Sequence, residues 1–499
     1  MDRYAGLDIA HLLEQRADWR GNHPFLIWES GSEDARSWSY GEFAAEVRRV
    51  AGGLSRLAQP GDRIFVYLDN CPEAILTFFA CAYIGAIAVM INTRATIDDA
   101  KYFADKTQPV CAVTSIEYAA HVSAALPQKP IFFTDTATNG LSYSELAGTP
   151  PPLRLPLPSQ RLSIQFTSGT TSRPKGVVWT HANALWGGQT AAAHQALTKD
   201  DVHLTYLPIY HTNAQVYSVL SSLWAGATVV LQRKFSASRF WDVAIRNGCT
   251  WTSMIPFCLK ALESLEVPTE HAFRCWGTAA SFPLAADRYQ IDIIGWYGMT
   301  ETITHPICGQ IGRPGPVRSI GNVTPAYRIA ILNAEGRPCG PGETGDLFVE
   351  GIPGLSVFLE YWQDQAATSA AFDKEGRLIT GDRITVGKDG FLYFSDRSKD
   401  MLKVSGENVS ASEVENAVLM VKGVVECAVV GKSDPMKDEV PVAFVVIDGP
   451  EGDIISAIQL SVQNSLSDFK RPKEIIVVDA LPKGTLDKVS KAELRQLLT

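Results

Sequence analysis

The chain has no excess of basic charge, no paired-cysteine spacing, no internal repeat and no low-complexity tract, and each absence removes a class of protein. Its 499 residues carry 45 lysines and arginines against 54 aspartates and glutamates, a net charge of −9. Nucleic-acid backbones are gripped by clustered cations, so dedicated nucleic-acid binding is not expected. Any phosphate bound here must be held by local devices: backbone amides, a few cations or a metal. The nine cysteines (71, 81, 111, 249, 258, 275, 308, 339 and 427) are scattered and form no C-x-x-C. They offer neither a disulfide framework nor a clustered metal spacing, and read as small apolar core residues in a reducing compartment. With 39 glycines and 28 prolines the chain is neither collagen-like nor linker-dominated. Met1-Asp2-Arg3-Tyr4 opens no signal-peptide core and Leu497-Leu498-Thr499 is no peroxisomal tripeptide, so a soluble cytoplasmic protein is expected.

What is present is an ordinary folded composition, 46% apolar and 20% charged, long enough for about three domains or subdomains. One uncharged run, Ala74 to Ile91, approaches the length of a membrane span. Pro72-Glu73 makes a good first helical turn, Gly85 a good cap and Ile87–Ile91 a strand, so the run reads as a buried helix followed by a buried strand. Ser39-x-x-Glu42 is a capping-box pattern that opens a helix with the apolar face Phe43, Val47, Val50, Leu54 and Leu57. Strands at 64–68, 110–113 and 131–133 alternate with helices, which implies an α/β fold of layered, mostly parallel sheets. Thr149 to Pro158 holds five prolines and is a connector. From about Gly321 short strands and Gly/Pro turns suggest a β-rich lobe. The last hundred residues read α-β-β-α-β, a small α+β domain.

The chemistry is concentrated in a few segments. Phe166-Thr167-Ser168-Gly169-Thr170-Thr171-Ser172-Arg173-Pro174-Lys175-Gly176-Val177 follows a strand, Leu162 to Phe166. Such a loop can wrap a polyphosphate with N–H and O–H donors while Lys175 supplies charge. It is not the Walker pattern, because its lysine precedes the last glycine. Tyr297 offers a π-face on which a planar ring can stack. Glu301 is a carboxylate able to hold a hard cation, and Thr300 beside it is a hydroxyl donor. No Ser-His-Asp or Cys-His constellation is evident, so no covalent protein intermediate is expected.

These segments resemble, in order, the motifs of the adenylate-forming superfamily: acyl-CoA synthetases, luciferases and the adenylation domains of peptide synthetases. The loop is similar to the family's signature, and Trp296-Tyr297-Gly298-Met299-Thr300-Glu301-Thr302 to its aromatic-Gly-x-Thr-Glu motif. Thr380-Gly381-Asp382, Asp396-Arg397, Lys403–Asn408 and Pro482–Lys488 resemble the remaining four. The match runs from about residue 10 to the end of the chain. Tyr210-His211, Phe235-Ser236-Ala237-x-x-Phe240-Trp241 and Gly351-Ile352-Pro353-Gly354 look most like carnitine/crotonobetaine-type CoA ligases.

The resemblance implies a large N-terminal α/β domain, 1–396, and a small mobile α+β domain, 397–499. It implies an ATP-dependent carboxylate–CoA ligase, which makes an acyl-adenylate and then a thioester, with ATP, Mg²⁺ and coenzyme A as co-substrates or cofactor. Thr167, Ser168, Gly169, Thr170, Thr171 and Lys175 would hold the phosphates. Thr278-Ala279-Ala280 and Tyr297-Gly298-Met299 would flank adenine, and Asp382 and Arg397 would bind the ribose. His211 would lie beside the acyl carboxylate, Thr300 at the α-phosphate, Glu301 on the metal and Lys488 between carboxylate and α-phosphate. Lys399 would be the hinge, and Ser405-Gly406-Glu407 with Lys470 and Arg471 would meet coenzyme A. No aspartate stands near His211 to pair an amino-acid ammonium, and no carrier domain follows, which favours coenzyme A as the thiol. Trp186, Tyr217, Trp224 and Trp296 could form an aromatic cage for a quaternary ammonium. One departure is Asp487, where glycine usually precedes the lysine; a carboxylate there could draw Lys488 away from its anionic substrates. A luciferase-like oxygenase and a half-enzyme fed with acyl-adenylate share these motifs. A monomer or homodimer is expected.

Overall fold

A computed structural model describes residues 3–31, 35–135, 140–167, 174–313, 315–397, 400–404, 407–434, 438–483 and 489–498. Its contacts group the chain into two compact units, residues 1–329 with 349–378, and residues 330–348 with 379–499.

In the first unit the capping box forms as the sequence dictates. The Glu42 N–H donates to Ser39 Oγ at 3.2 Å, and the Ser39 N–H donates back to Glu42 Oε2 at 2.8 Å, opening the helix Tyr40–Leu54. Phe43, Val47, Val50 and Leu54 are buried, each stabilising the core by about 1.5–3 kcal/mol. Leu57, expected on the same face, lies beyond the helix end and is 38% exposed, because the helical period stops at Leu54. Gly53 lets this helix touch the backbone at Leu146, where a Cβ would stand 1.8 Å from a carbonyl oxygen. The uncharged run folds as the buried helix Pro72–Ile84, ended by Gly85 at φ +76°, and the strand Ile87–Met90. No described helix is long and apolar enough to cross a membrane.

Two sheets organise this unit. One runs Glu360–Tyr361, Lys175–Thr180, Arg161–Thr167, Ile87–Met90, Arg63–Tyr67, Cys111–Thr114, Ile131–Phe133, Leu141–Ser142. Its strands from Arg161–Thr167 onward are parallel, and Arg161–Thr167 pairs antiparallel with Lys175–Thr180. In the other, Asp292–Tyr297, Cys275–Thr278, Trp251–Ser253, Val202–Thr205, Thr228–Gln232 and Pro24–Glu29 are parallel neighbours. Parallel strands need crossovers and bury both faces, which matches the uninterrupted apolar strands of the sequence. The 149–158 connector forms no regular element but is pinned, since Arg154 donates to Asp8 Oδ2 and to the Ala82 carbonyl, both at 3.0 Å.

In the second unit, residues 330–332, 344–348, 379–386 and 392–397 run as neighbouring strands, the expected β-rich lobe. The α+β part follows the expected order, with the hairpin of Met401–Val404 and Glu407–Ser410 added before it and the short helix Lys491–Gln496 after it. Val424–Asp434 and Asp438–Ile447 pair antiparallel, and Glu474–Val477 joins the latter in parallel. Alternation along Asp438–Ile447 feeds two cores. Ala443 and Val445 meet Val414, Val418, Ile454 and Ile458 of the helices Ala411–Leu419 and Glu451–Ser465. Val442 and Phe444 meet Leu481 and Leu494 on the other face.

Candidate functional site

The candidate residues of the first unit gather where chain turns leave the strand ends. Thr167, the last residue of its strand, pairs in register with Lys175 across the antiparallel partner, so the expected phosphate loop is a strand-to-strand connection closed by this pair. Ser168, Gly169, Thr170 and Thr171 lie outside the described residues. Lys175 Nζ sits 4.8 Å above the Tyr361 ring, and among the described residues no carboxylate pairs with it. Beside it is a cavity of about 180 Å³ lined by Tyr102, Lys106, Phe166, Lys175, Tyr361 and Trp362.

Tyr361 is the connecting element. Its hydroxyl donates to Glu301 Oε1 at 2.9 Å. Glu301 stands in the short turn Thr300–Thr302 and is only 5% exposed, so it is a buried carboxylate rather than one on an open cleft wall. Burial and this neighbouring carboxylate push the Tyr361 phenol far above its ordinary value, so it stays an O–H donor at neutral pH. The turn is fixed from both sides: Trp179 Nε1 donates to the Thr300 carbonyl at 2.9 Å, and Phe358 N–H to the Glu301 carbonyl at 2.8 Å. A hydroxyl–amide chain extends from it. Thr212 Oγ1 lies 3.4 Å from Thr300 Oγ1 and 3.5 Å from Gln165 Oε1, and Gln165 Nε2 donates to Gln215 Oε1. His211 precedes Thr212, half-buried, its ring 4.8 Å from that of Tyr210. The structure therefore brings Lys175, Glu301 and Thr300 onto one hydrogen-bonded and cation–π path and places His211 at its edge.

The adenine candidates lie on two adjacent parallel strands. Thr278 ends Cys275–Thr278 and registers with Gly295 of Asp292–Tyr297. Thr278 Oγ1 donates to the Ala280 carbonyl, shaping the turn in which Ala279 is exposed and Ala280 half-buried. Tyr297 closes the neighbouring strand, and Gly298 is exposed just beyond it with Met299. Both segments thus emerge at strand carboxyl ends, where open α/β sheets take up ligands. Gly298 is constrained: a Cβ there would meet the Tyr217 hydroxyl at 2.5 Å and the Thr304 carbonyl at 2.7 Å.

In the second unit, Asp382 is 5% exposed on its strand and registers directly with Arg397 on the antiparallel neighbour. The Asp382 N–H donates to Thr380 Oγ1 at 3.2 Å, and that hydroxyl donates to the Leu347 carbonyl at 2.7 Å. Glu407 registers with Val404 across the hairpin, whereas Ser405, Gly406, Lys399 and Lys488 lie outside the described residues. Both cations expected to meet coenzyme A, Lys470 and Arg471, are engaged. Lys470 Nζ donates to both Glu413 oxygens at 2.8 and 2.9 Å, and Arg471 donates to the carbonyls of Leu466 and Gln463 at 3.0 Å.

Each of the four aromatics considered as a cage packs against a neighbouring side chain. Arg3 covers the Trp186 ring at 4.8 Å, Trp224 contacts Tyr4 at 6.3 Å, and Tyr217 and Trp296 pack together at 5.4 Å. The sequence reading missed Tyr361 altogether. Its only signal was an aromatic pair, Tyr361-Trp362, with no motif around it. Gln165 and Thr212 were missed too, because amides and hydroxyls are too common to stand out.

Residues 13–362 match the family described as AMP-binding enzyme, and residues 413–488 match its C-terminal domain. A crotonobetaine/carnitine–CoA ligase of Salmonella paratyphi C is 34% identical over 523 residues, covering 99% of this chain and all of that protein. Among solved structures, the O-succinylbenzoate coenzyme A synthetase of Bacillus subtilis in complex with AMP superposes with a TM-score of 0.86 at 26% identity, covering 97% of this chain and 98% of that one. The ATP-bound MatB of Rhodopseudomonas palustris gives the same score and identity over 98% of this chain and 99% of its own. With most of its length inside the first match and a full-length relative besides, the chain belongs to the AMP-binding enzyme family.

Proposed function

We propose that the protein is an ATP-dependent carboxylate–CoA ligase. A carboxylate oxygen attacks the α-phosphorus of ATP, the bond to the β-phosphate oxygen breaks, and pyrophosphate leaves. The coenzyme A thiol then attacks the acyl carbon and AMP leaves with the bonding pair. The observation that carries this reading is the fixed Thr300–Glu301 turn joined through Tyr361 to Lys175, which puts an acid, a hydroxyl and a cation in reach of one polyphosphate. Catalysis is then positioning and charge neutralisation.

In this reading Lys175, Thr167 and the loop 168–171 hold the β- and γ-phosphates, and Thr300 donates to the α-phosphate. Adenine lies between Ala279-Ala280 and Tyr297, with Gly298 and Met299 at its edge; Asp382 and Arg397 take the ribose, and His211 lies beside the acid. Glu301 is a hard oxygen donor of the kind Mg²⁺ selects, and its fixed position fits a metal that neutralises phosphate charge. Lys488 belongs to the small domain that begins at residue 397 and turns at Lys399. Ser405-Gly406-Glu407 line the thiol's approach, and Lys470 and Arg471 face the phosphates of coenzyme A, where a phosphate competes with Glu413 for Lys470. The compartment is cytoplasmic.

The test is pyrophosphate release over a panel of carboxylic acids, crotonobetaine and carnitine included, with and without coenzyme A. Acid-dependent pyrophosphate together with coenzyme A-dependent AMP and acyl-CoA supports the reading. Oxygen uptake in place of thioester formation would assign the luciferase-like chemistry, and acyl-CoA formed only from supplied acyl-adenylate would assign the half-enzyme.

A further inference from the structure

We propose that His194, His305 and Cys308 form a buried binding site for one thiophilic monovalent cation, Cu⁺. The scattered cysteines gave no metal spacing in the sequence; folding creates one. His194 ends the helix His181–His194, Cys308 ends the strand Ile307–Cys308, and His305 stands in the turn before it. One ligating atom from each lies within 4.8 Å of the other two.

Two features point to a missing partner. His305 Nδ1 lies 3.2 Å from Thr304 Oγ1, while its buried Nε2 and the buried His194 Nδ1 have no hydrogen-bond partner among the described residues. An orphaned buried polar atom is costly, and a single cation held between the two imidazoles and the thiol would give such atoms a partner. The His305 ring cannot easily swing away: it stacks on Trp296 at 4.5 Å and 19°, and packs against Tyr217 at 3.8 Å. Thr304 on the remote ring nitrogen is the kind of outer partner that fixes a ligating imidazole.

The surroundings select the ion. Imidazole ligates a metal in its neutral form and adds no charge of its own. Binding replaces the Cys308 S–H bond with an S–Cu bond and releases the proton to solvent, with no change of oxidation state. Thiolate and Cu⁺ then sum to zero charge, whereas Zn²⁺ would leave a net positive charge among aromatic rings, a costly burial. Two imidazoles and a thiolate in a three-coordinate set also suit a soft cation. The proposal does not rest on the ligase reading and uses none of its assigned residues.

The experiment titrates the reduced full-length chain anaerobically with Cu⁺ against a colorimetric Cu⁺ chelator, with Zn²⁺ in parallel. One equivalent of Cu⁺ is expected to be retained, roughly tenfold or more tighter than Zn²⁺, and to be weakened by roughly tenfold or more in Cys308→Ser and in His194→Gln. X-ray absorption on Cu⁺-loaded wild type should give two nitrogen ligands and one sulfur, a readout that stands even if a variant does not fold. Retention unchanged in both folded variants, a sulfur-only shell, or preference for Zn²⁺ would overturn the assignment.

Discussion

Lys175 in the large unit and the cations Lys470, Arg471 and Lys473 in the small one are held in opposite ways. In the large unit, Lys175 rests on the face of Tyr361 with no carboxylate partner among the described residues. In the small unit, Lys470 is held by Glu413, Lys473 by Asp434 at 2.9 Å, and Arg471 by the carbonyls of Leu466 and Gln463. A π-face places a cation for about 0.5–1 kcal/mol and leaves its charge available. A carboxylate partner neutralises the charge, and a phosphate must then displace it. Basic residues of two segments are thereby prepared differently for anions.

The largest expected effect tests the available charge. Lys175→Met should lower pyrophosphate release about a hundredfold, the scale of losing one donor to developing phosphate charge, with little change in melting temperature. A loss below tenfold would remove Lys175 from the phosphate site and break the comparison. Glu301→Gln keeps an acceptor for the Tyr361 hydroxyl and removes only charge, so adenylation should fall with a raised Mg²⁺ requirement while the fold holds. Retained activity with a collapsed melting temperature would make Glu301 structural.

Tyr361→Phe separates placement from charge. It leaves the buried Glu301 short of a donor, costing about 1–3 kcal/mol in stability, and should lower adenylation less than Lys175→Met does. An effect on stability alone would confine Tyr361 to the core. The smallest effect belongs to the small unit. Lys470→Ala removes a half-exposed ion pair worth about 0.2–1 kcal/mol, and should raise the KM for coenzyme A by no more than a few fold. A rise beyond tenfold would show that its charge is as available as that of Lys175.

Stability against pH sharpens the same contrast between buried and engaged groups. Burial depresses His181 to about 3 and His203 to about 4 from an ordinary value of 6.5. Because the folded values lie below the unfolded one, the unfolded chain binds the extra protons. The stability these neutral imidazoles contribute is complete above pH 6.5 and is lost as pH falls toward 4, by about 1.4 kcal/mol per pH unit for each. Denaturant midpoints at pH 7, 6 and 5 should fall in that order; a flat profile would mean that the buried histidines stay solvated.

Much of the fold was legible because its signals are local. The Ser39–Glu42 capping box, Gly85 and the apolar strand at 87–90 each fix their own element through a few neighbouring atoms. Leu57 escaped because a helix end is set by packing as well as by period. The candidate site was legible where one segment carries its own chemistry, as in Tyr297–Glu301. Tyr361 was invisible because its role is to join Lys175 and Glu301, which are 126 residues apart in sequence, and such a meeting exists only after folding. Glu301 was recognised as a carboxylate, but its burial was not, for the same reason.

The most direct test of the two-step account is a single-turnover experiment: the protein is mixed with ATP, Mg²⁺ and an accepted acid, products are counted, and coenzyme A is then added. The account predicts stoichiometric pyrophosphate and enzyme-held acyl-adenylate before coenzyme A, then AMP and acyl-CoA after it. ADP and phosphate as products, or no pyrophosphate until coenzyme A arrives, would contradict it.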